Sequence, residues 1–480
     1  MNNLKNIDKF DVTIIGFGPA GAFTAYELLK SNKNLKIAIF EKGKKLEERT
    51  CPAIENHTNC IKCATCAIMN GCGGASLYSD GKFPITNDFG GNLWEKIGKE
   101  KSLELQRLVD KYNEELFTKC SNGVPYPKIF STNGSPYKKL CTQNNLHLLN
   151  ADIRHLGSDL ARCIFSQLYE TIKSNNNVKV FTETDVKSVR INPDINTVSE
   201  YRYWISTGES GYYANHVVVA TGRSGGDLVS NLCKQLNIST KSNKVDIGIR
   251  FECPDDIWSQ ITSALYESKI VYKTKTYEDE VRTFCMNPSG EVVTENTNGL
   301  ITVNGHAFED ESKKTNNTNF ALLVSQSFTE PFNDSNEYGN AIVGLSNMLG
   351  GGVIVQRYGD LIRGKRSTKD HILHNTVIPT LNAEPGDLSL VLPKRILDDI
   401  IEMIQVLNNI VPGMTNDDNL LYGVEIKRYN YVVDVRNTLE AKTYDNLYFI
   451  GDSSGWTHSL SQSSASGIYT AKQILAKVYP

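Results

Sequence analysis

Apolar residues along the chain alternate between two spacings, and the changes of spacing outline its elements. Phe10–Ile15 is a short, β-rich apolar run that ends at a glycine. Pro19–Lys30 then carries Ala22, Phe23, Ala25, Tyr26 and Leu29 at helical spacing. Lys36–Phe40 is a second apolar strand, ending at Glu41, so the first forty residues predict a βαβ unit and a parallel sheet. Gly98–Phe117 and Leu156–Ile172 predict helices. Val178–Val189 opens a series of short strands that closes with His216–Val219 running into Ala220, Thr221 and Gly222. From about Lys244 the pattern turns β-rich, with Asp246–Glu252, Arg282–Met286 and Phe320–Val324 as strands and Ile396–Leu407 as a helix. The tail returns to the opening pattern, with strand Leu447–Ile450, a turn over Gly451–Gly455, and a helix from about Ser464 to Val478.

This pattern divides the chain into 1–243, which includes a cysteine-rich loop at 51–82, an inserted β-rich α+β domain at 244–421, and a returning segment at 422–480. The first and last parts together form one discontinuous α/β domain, and the insert is expected to carry the substrate or cap function. Tyr422, Glu425 and Lys427 fall on one strand. Strict alternation puts Glu425 and Lys427 on one face and Tyr422 on the other, so only a bulge brings all three together.

A length of 480 residues allows about three units, or two with insertions. The 51 basic and 54 acidic residues leave a net charge of −3, and no Lys/Arg run exceeds two, so a nucleic-acid partner is not expected. Met1–Lys9 is polar and no window holds 18 uninterrupted apolar residues. The expectation is a cytoplasmic protein, neither secreted nor membrane-spanning. The 11 cysteines then read first as reduced thiols, metal ligands or redox groups.

Gly16-Phe17-Gly18-Pro19-Ala20-Gly21 fits the G-x-G-x-x-G fingerprint and stands between a strand and a helix, with Glu41 twenty residues beyond the last glycine. Gly16 permits the tight turn, Gly18 lets backbone approach a pyrophosphate, and Gly21 allows close helix–strand packing. The helix N-terminus presents N–H groups to phosphate, and Glu41 accepts from ribose hydroxyls. The fingerprint alone does not separate FAD from NAD. Gly451-Asp452 beyond a strand, followed by Ser464-Ala465-Ser466-Gly467 at a helix start, resembles the arrangement of the glutathione-reductase-like FAD superfamily. There the acidic turn holds the ribityl chain and the helix N-terminus faces the flavin. Val219-Ala220-Thr221-Gly222 resembles the strand-to-loop passage of that superfamily beside FAD, and Val186 stands where a strand backbone meets the adenine. A second dinucleotide fingerprint is missing, since the glycines of Gly344–Gly352 have the wrong spacing. Direct NAD(P)H binding is therefore disfavoured.

Cys51-Pro52, Cys60-Ile61-Lys62-Cys63-Ala64-Thr65-Cys66, Gly71-Cys72-Gly73-Gly74-Ala75-Ser76-Leu77-Tyr78-Ser79-Asp80-Gly81-Lys82 and Gly90-Gly91 resemble a broad family of FAD-dependent dehydrogenases related to the glutathione-reductase-like flavoproteins. The likeness continues through Thr302–His306, Gln356–Asp360, Tyr422–Glu425 and Gly451-Asp452. It departs at Gly73–Ser79, which is poorer in glycine and alanine than usual, and at Ser453 and Ser454. It implies a Rossmann-like FAD domain of glutathione-reductase type, interrupted by the insert, and flavin redox chemistry. Lys42, Gly73, Gly74 and Ser76 join the candidate FAD contacts.

Cys51, Cys60, Cys63 and Cys66 offer four thiolates at spacings that could close around a [4Fe–4S] cluster or a structural zinc. A dithiol formed by Cys63 with Cys66 or Cys72 and a loop of inert buried thiols are equally open. A cluster would accept single electrons from a ferredoxin-like donor.

For chemistry beside the flavin, His458 is a candidate acid–base group and Lys82 a candidate cation, with a cap and an ion pair to Asp80 as the plainer alternatives. His306 and Arg357 are candidates for proton transfer and for binding an anion. The expected activity is an oxidoreductase passing hydride or electrons between flavin N5 and a small molecule. A monooxygenase, an electron-transfer module and an RNA-modifying protein are the alternatives.

Overall fold

The computed structural model describes residues 8–31, 34–56, 61, 63–121, 123–192, 201–297, 299–307 and 311–479. The chain divides into two compact units. One comprises 1–128, 154–243 and 429–480, and the other 129–153 and 244–428.

In the first unit, β1 (Lys9–Ile15), α1 (Pro19–Lys30) and β2 (Ile37–Phe40) form the βαβ unit. Helices α2 (Lys99–Phe117) and α3 (Gly157–Lys173) follow, and then strands β3 (Val178–Phe181), β4 (Ser188–Ile191), β5 (Tyr203–Ser206) and β6 (Gly211–Val219). α4 (Gly226–Gln235), β7 (Leu447–Phe449) and α5 (Leu460–Val478) complete it. The sheet runs β3-β2-β1-β6-β5-β4, and β7 also pairs with β6. Pairs β1–β2, β2–β3, β1–β6 and β6–β7 are parallel, whereas β5 is antiparallel to β4 and β6.

β1 is central, and Val12, Thr13 and Ile14 are all buried, as a strand covered on both faces requires. α1 is rich in alanine and buried along most of its length, which lets α5 approach closely. Gly467 of α5 marks the contact: a Cβ there would sit 2.2 Å from the Ala20 carbonyl oxygen. α5 begins at Leu460, ahead of the Ser464 start predicted from sequence. Ser459 caps it by accepting from the Gln462 N–H, so a polar Ser-rich first turn belongs to the helix. No helix among the described residues is long and apolar enough to cross a membrane.

The cysteines do not all stay as thiols: Cys120, just after α2, forms a disulfide with Cys163 of α3. The expectation of reduced thiols fails for this pair because two helices far apart in sequence bring them together.

His216 on β6 is buried, its Nδ1 finds no hydrogen-bond partner, and its ring lies 6.3 Å from that of Tyr448. Burial pulls its pKa from the usual 6.5 down to about 4. A folded state that refuses this proton loses stability as pH falls from 6.5 towards 4, and has the full contribution above 6.5. The expected loss is about 3 kcal/mol. Denaturant unfolding of the protein and of His216→Phe at a series of pH values checks it, since the variant should be flatter across that window.

In the second unit an eight-stranded sheet runs Glu384–Pro385, Ile354–Arg357, Leu420–Lys427, Val245–Pro254, Asn317–Gln326, Glu280–Asn287, Ile270–Lys273 and Leu146–Leu148. Only its first pair is parallel. Helices Asp255–Leu265 and Lys394–Leu407 supply apolar side chains to its core. The register shifts between Gly248 and Ile249, so Tyr422, Glu425 and Lys427 lie opposite Arg250, Gly248 and Asp246. This is the bulge that places all three on one face. There Arg250 and Glu425 form a buried bidentate pair, at 2.8 and 2.7 Å.

Candidate functional site

The first unit brings the fingerprint, the 71–76 segment, the Ala220–Gly222 passage and the Gly451-Asp452 turn onto one set of elements. Gly16 has φ +100°, and a Cβ there would stand 2.4 Å from the Ala220 carbonyl oxygen. At Gly21 a Cβ would meet the Gly16 carbonyl oxygen at 2.0 Å. These two glycines are demanded by the fold. Gly18 is not: its φ is −81° and the nearest atom to an added Cβ is the Gly74 Cα at 3.7 Å, an ordinary contact. It is the N-cap of α1 and makes no side-chain cap, and Pro19 starts the helix. A side chain at Gly18 would therefore be tolerated by the fold, and the turn stands at a helix N-terminus, whose free N–H groups suit an anion.

Glu41 is 6% exposed and its carboxylate accepts three backbone N–H groups, from Phe17, Gly43 and Gly71, each at 2.9 Å. It therefore fastens the fingerprint turn to the 43–71 segment. It also lines a cavity of about 250 Å³ together with Gly16, Lys42, Val186, Thr221 and Ser224. Thr221 Oγ1 is buried without a hydrogen-bond partner. The polar groups of this lining suit a ligand rich in donors and acceptors. Val186 lies on the extended stretch between β3 and β4, where the Lys187 N–H donates to the Ser206 carbonyl.

The segment after Glu41 is organised by Arg49. Its Nε and Nη2 donate to the Ala67 carbonyl at 3.0 and 2.8 Å, Nη2 to Ile68 at 2.9 Å, and Nη1 to Cys72 and Gly74 at 2.8 Å each. Gly73 and Gly74 both have positive φ, and the Gly73 N–H donates to the Phe17 carbonyl at 2.7 Å. Ser76 turns its hydroxyl back to the Gly73 carbonyl. Sequence reasoning missed Arg49, which sits in no motif or basic run.

At the far end Gly451 has φ +65° and donates its N–H to Ser466 Oγ at 3.1 Å. Asp452 Oδ1 accepts from Ser463 at 2.7 Å and from Thr457 at 3.1 Å, which fixes the carboxylate against the start of α5. Ser464 and Ala465 are fully buried, and Ser464 Oγ is without a hydrogen-bond partner. Gly222 has φ +65° and open space around it.

Lys82 pairs with Asp80 at 3.1 Å, and both side chains are largely covered. His458 packs on Tyr429 with ring centres 4.3 Å apart, and its backbone N–H donates to the Gly90 carbonyl at 2.8 Å. His306 and Arg357 belong to the second unit, where His306 ends the strand Leu300–His306. Arg357 donates to Asn375 Oδ1 at 2.8 Å and to Asp418.

Of the four cysteines put forward as metal ligands, Cys60 lies outside the described residues. Cys51 and Cys66 are half-buried and Cys63 is exposed. Among the described residues no group of three or more potential ligands stands together around a metal position. Cys72 is fully buried and burial pushes its thiol far up, which makes it a core group and not an exchanging thiol.

Residues 247–428 match the family described as FAD-dependent protein, C-terminal domain-like. No curated protein sequence matches the chain. Solved structures that resemble it include formate oxidase from Aspergillus oryzae, at 13% identity and a TM-score of 0.45, covering 98% of each chain. L-proline dehydrogenase from P. horikoshii is similar at 13% identity and a TM-score of 0.42, covering 98% of this chain and 95% of that one. Glycine oxidase from Geobacillus kaustophilus gives 13% identity and a TM-score of 0.41 over the same shares.

Proposed function

We propose that the protein is an FAD-dependent oxidoreductase that binds the dinucleotide in its first unit and acts on a small molecule. The observation that carries this is Gly18, a fingerprint glycine that the fold itself does not need, at the N-terminus of α1 in a turn whose Gly16 lines the cavity. The match of residues 247–428 to the domain of an FAD-dependent family supports the same reading.

The residues present fit FAD in a Rossmann-like domain of glutathione-reductase type. Gly18, Pro19 and Ala20, with Gly73 and Gly74, would hold the pyrophosphate. Glu41, Lys42 and Val186 would hold the adenosine. Ala220–Gly222 would pass beside the dinucleotide. Asp452 would hold the ribityl chain, with Ser464 and Ala465 at the flavin. The bound flavin supplies the two-electron chemistry at N5. His458, fixed by its backbone N–H to Gly90 and its ring contact with Tyr429, is assigned the proton transfer. Lys82, with Asp80 as its counter-ion, would supply a cation near the reacting groups.

A cluster or zinc at Cys51, Cys60, Cys63 and Cys66 is the second element of this reading, with a ferredoxin-like donor if it is iron–sulfur. Its support is the cysteine spacing alone. One preparation tests both parts: anaerobically purified protein is expected to show oxidised flavin bands that dithionite bleaches, and iron, sulfide and zinc analysis decides the cysteine loop. A folded, colourless protein that takes up no added FAD would defeat the flavin reading.

A further inference from the structure

Arg49 is only 2% exposed, and every hydrogen bond its guanidinium donates among the described residues goes to a backbone carbonyl, not to a carboxylate. Burying a guanidinium without an ion pair is unfavourable, because carbonyl dipoles return only part of its hydration. A loop needs no net charge to be tied down, since neutral amides do the same work. Glu41, which lies close enough to favour the charged guanidinium, already accepts from three N–H groups of its own.

The location of the charge explains its presence. Nη1 holds the Gly74 carbonyl at 2.8 Å, and Gly74 packs directly on the fingerprint, where a Cβ added to it would be 3.0 Å from Gly18 Cα. The guanidinium therefore stands one residue behind the open turn at Gly18. An anion arriving there would add to the partial compensation that Tyr78 and Glu41 already give the guanidinium.

We infer that Arg49 is a positioning residue of the dinucleotide site, whose fork sets the Cys72–Gly74 turn against Gly18 and whose charge backs the diphosphate. The inference rests on the FAD reading above. Its consequence is selective: Arg49 acts on ligands that carry a diphosphate and leaves adenosine recognition alone.

Calorimetric titration of the FAD-stripped full-length protein with ADP and with adenosine tests this. Arg49→Gln is expected to weaken ADP by about tenfold or more while adenosine changes by less than about twofold. Arg49→Lys, which returns the charge but not the planar fork, is expected to restore the preference for ADP while still melting below the parent. Equal weakening of both ligands, or no weakening of ADP, would show Arg49 to be a loop clamp only. If Arg49→Gln does not fold, Arg49→Lys against the parent still decides, because loss of the ADP preference in that variant overturns the role given to the charge. Failure of the parent to bind either ADP or FAD would instead defeat the FAD reading.

Discussion

Gly18→Asp is expected to fold, to melt no lower than the FAD-stripped parent, and to purify without colour. Gly18 is the N-cap of α1, its backbone is extended at φ −81° and ψ −171°, and no side chain caps the helix there. Aspartate is among the best N-cap residues and gains a few tenths of a kcal/mol over glycine. A Cβ meets nothing closer than 3.7 Å. The same carboxylate occupies the approach of the pyrophosphate and repels it. A like-charge contact at about 4 Å in such surroundings costs about 4 kcal/mol, roughly a thousandfold in affinity. Flavin absorbance per chain, FAD titration and a melting curve on one sample read both effects. Gly16→Ala and Gly21→Ala make the contrast, since their Cβ atoms meet backbone oxygens at 2.4 and 2.0 Å and lower stability before ligand is considered. A yellow, tightly binding Gly18→Asp protein would mean that no pyrophosphate lies over this turn.

Opening the Cys120–Cys163 disulfide is expected to lower stability by up to about 4 kcal/mol, the chain-entropy value for a loop of this size. The cysteines are 43 residues apart, and the link joins the end of α2 to α3. Residual order in the reduced, unfolded chain makes this an upper value. Urea unfolding of the Cys120→Ser protein against the parent, each with and without reductant, measures it. Reductant should destabilise the parent only, and a parent indifferent to reductant would show that the pair does not form in solution.

Much of the architecture was legible because the first unit states its elements locally. A short apolar run, the spaced fingerprint glycines and a helical alanine pattern define β1, the turn and α1 with little help from the rest of the chain. The distribution of roles within the site was less legible. Glu41 reads from sequence as a ribose acceptor, yet its carboxylate is held by three backbone N–H groups, one of them 30 residues away at Gly71. Gly467 reads as a cofactor glycine, and the contact it makes is with the backbone of α1. Arg49 had no signal, because its carbonyl acceptors at Ala67, Ile68, Cys72 and Gly74 leave no mark in composition or spacing. Tyr422, Glu425 and Lys427 show the limit of periodicity: one bulged residue, decided by pairing with Val245–Pro254, reverses which side chains share a face.

The first unit is assembled from three separate stretches of chain, and this fixes an order of events during synthesis. A ribosome delivers β1, α1 and β6 first, then most of the second unit, and only afterwards β7 and α5. At about 5–20 residues per second, the nascent polypeptide waits on the order of ten seconds for the strand that pairs with β6 and the helix that covers α1. During that interval an apolar helix flank and an open sheet edge face solvent or a chaperone. Translation pauses near the 3′ end of the message should therefore increase aggregation of this protein more than pauses near its start.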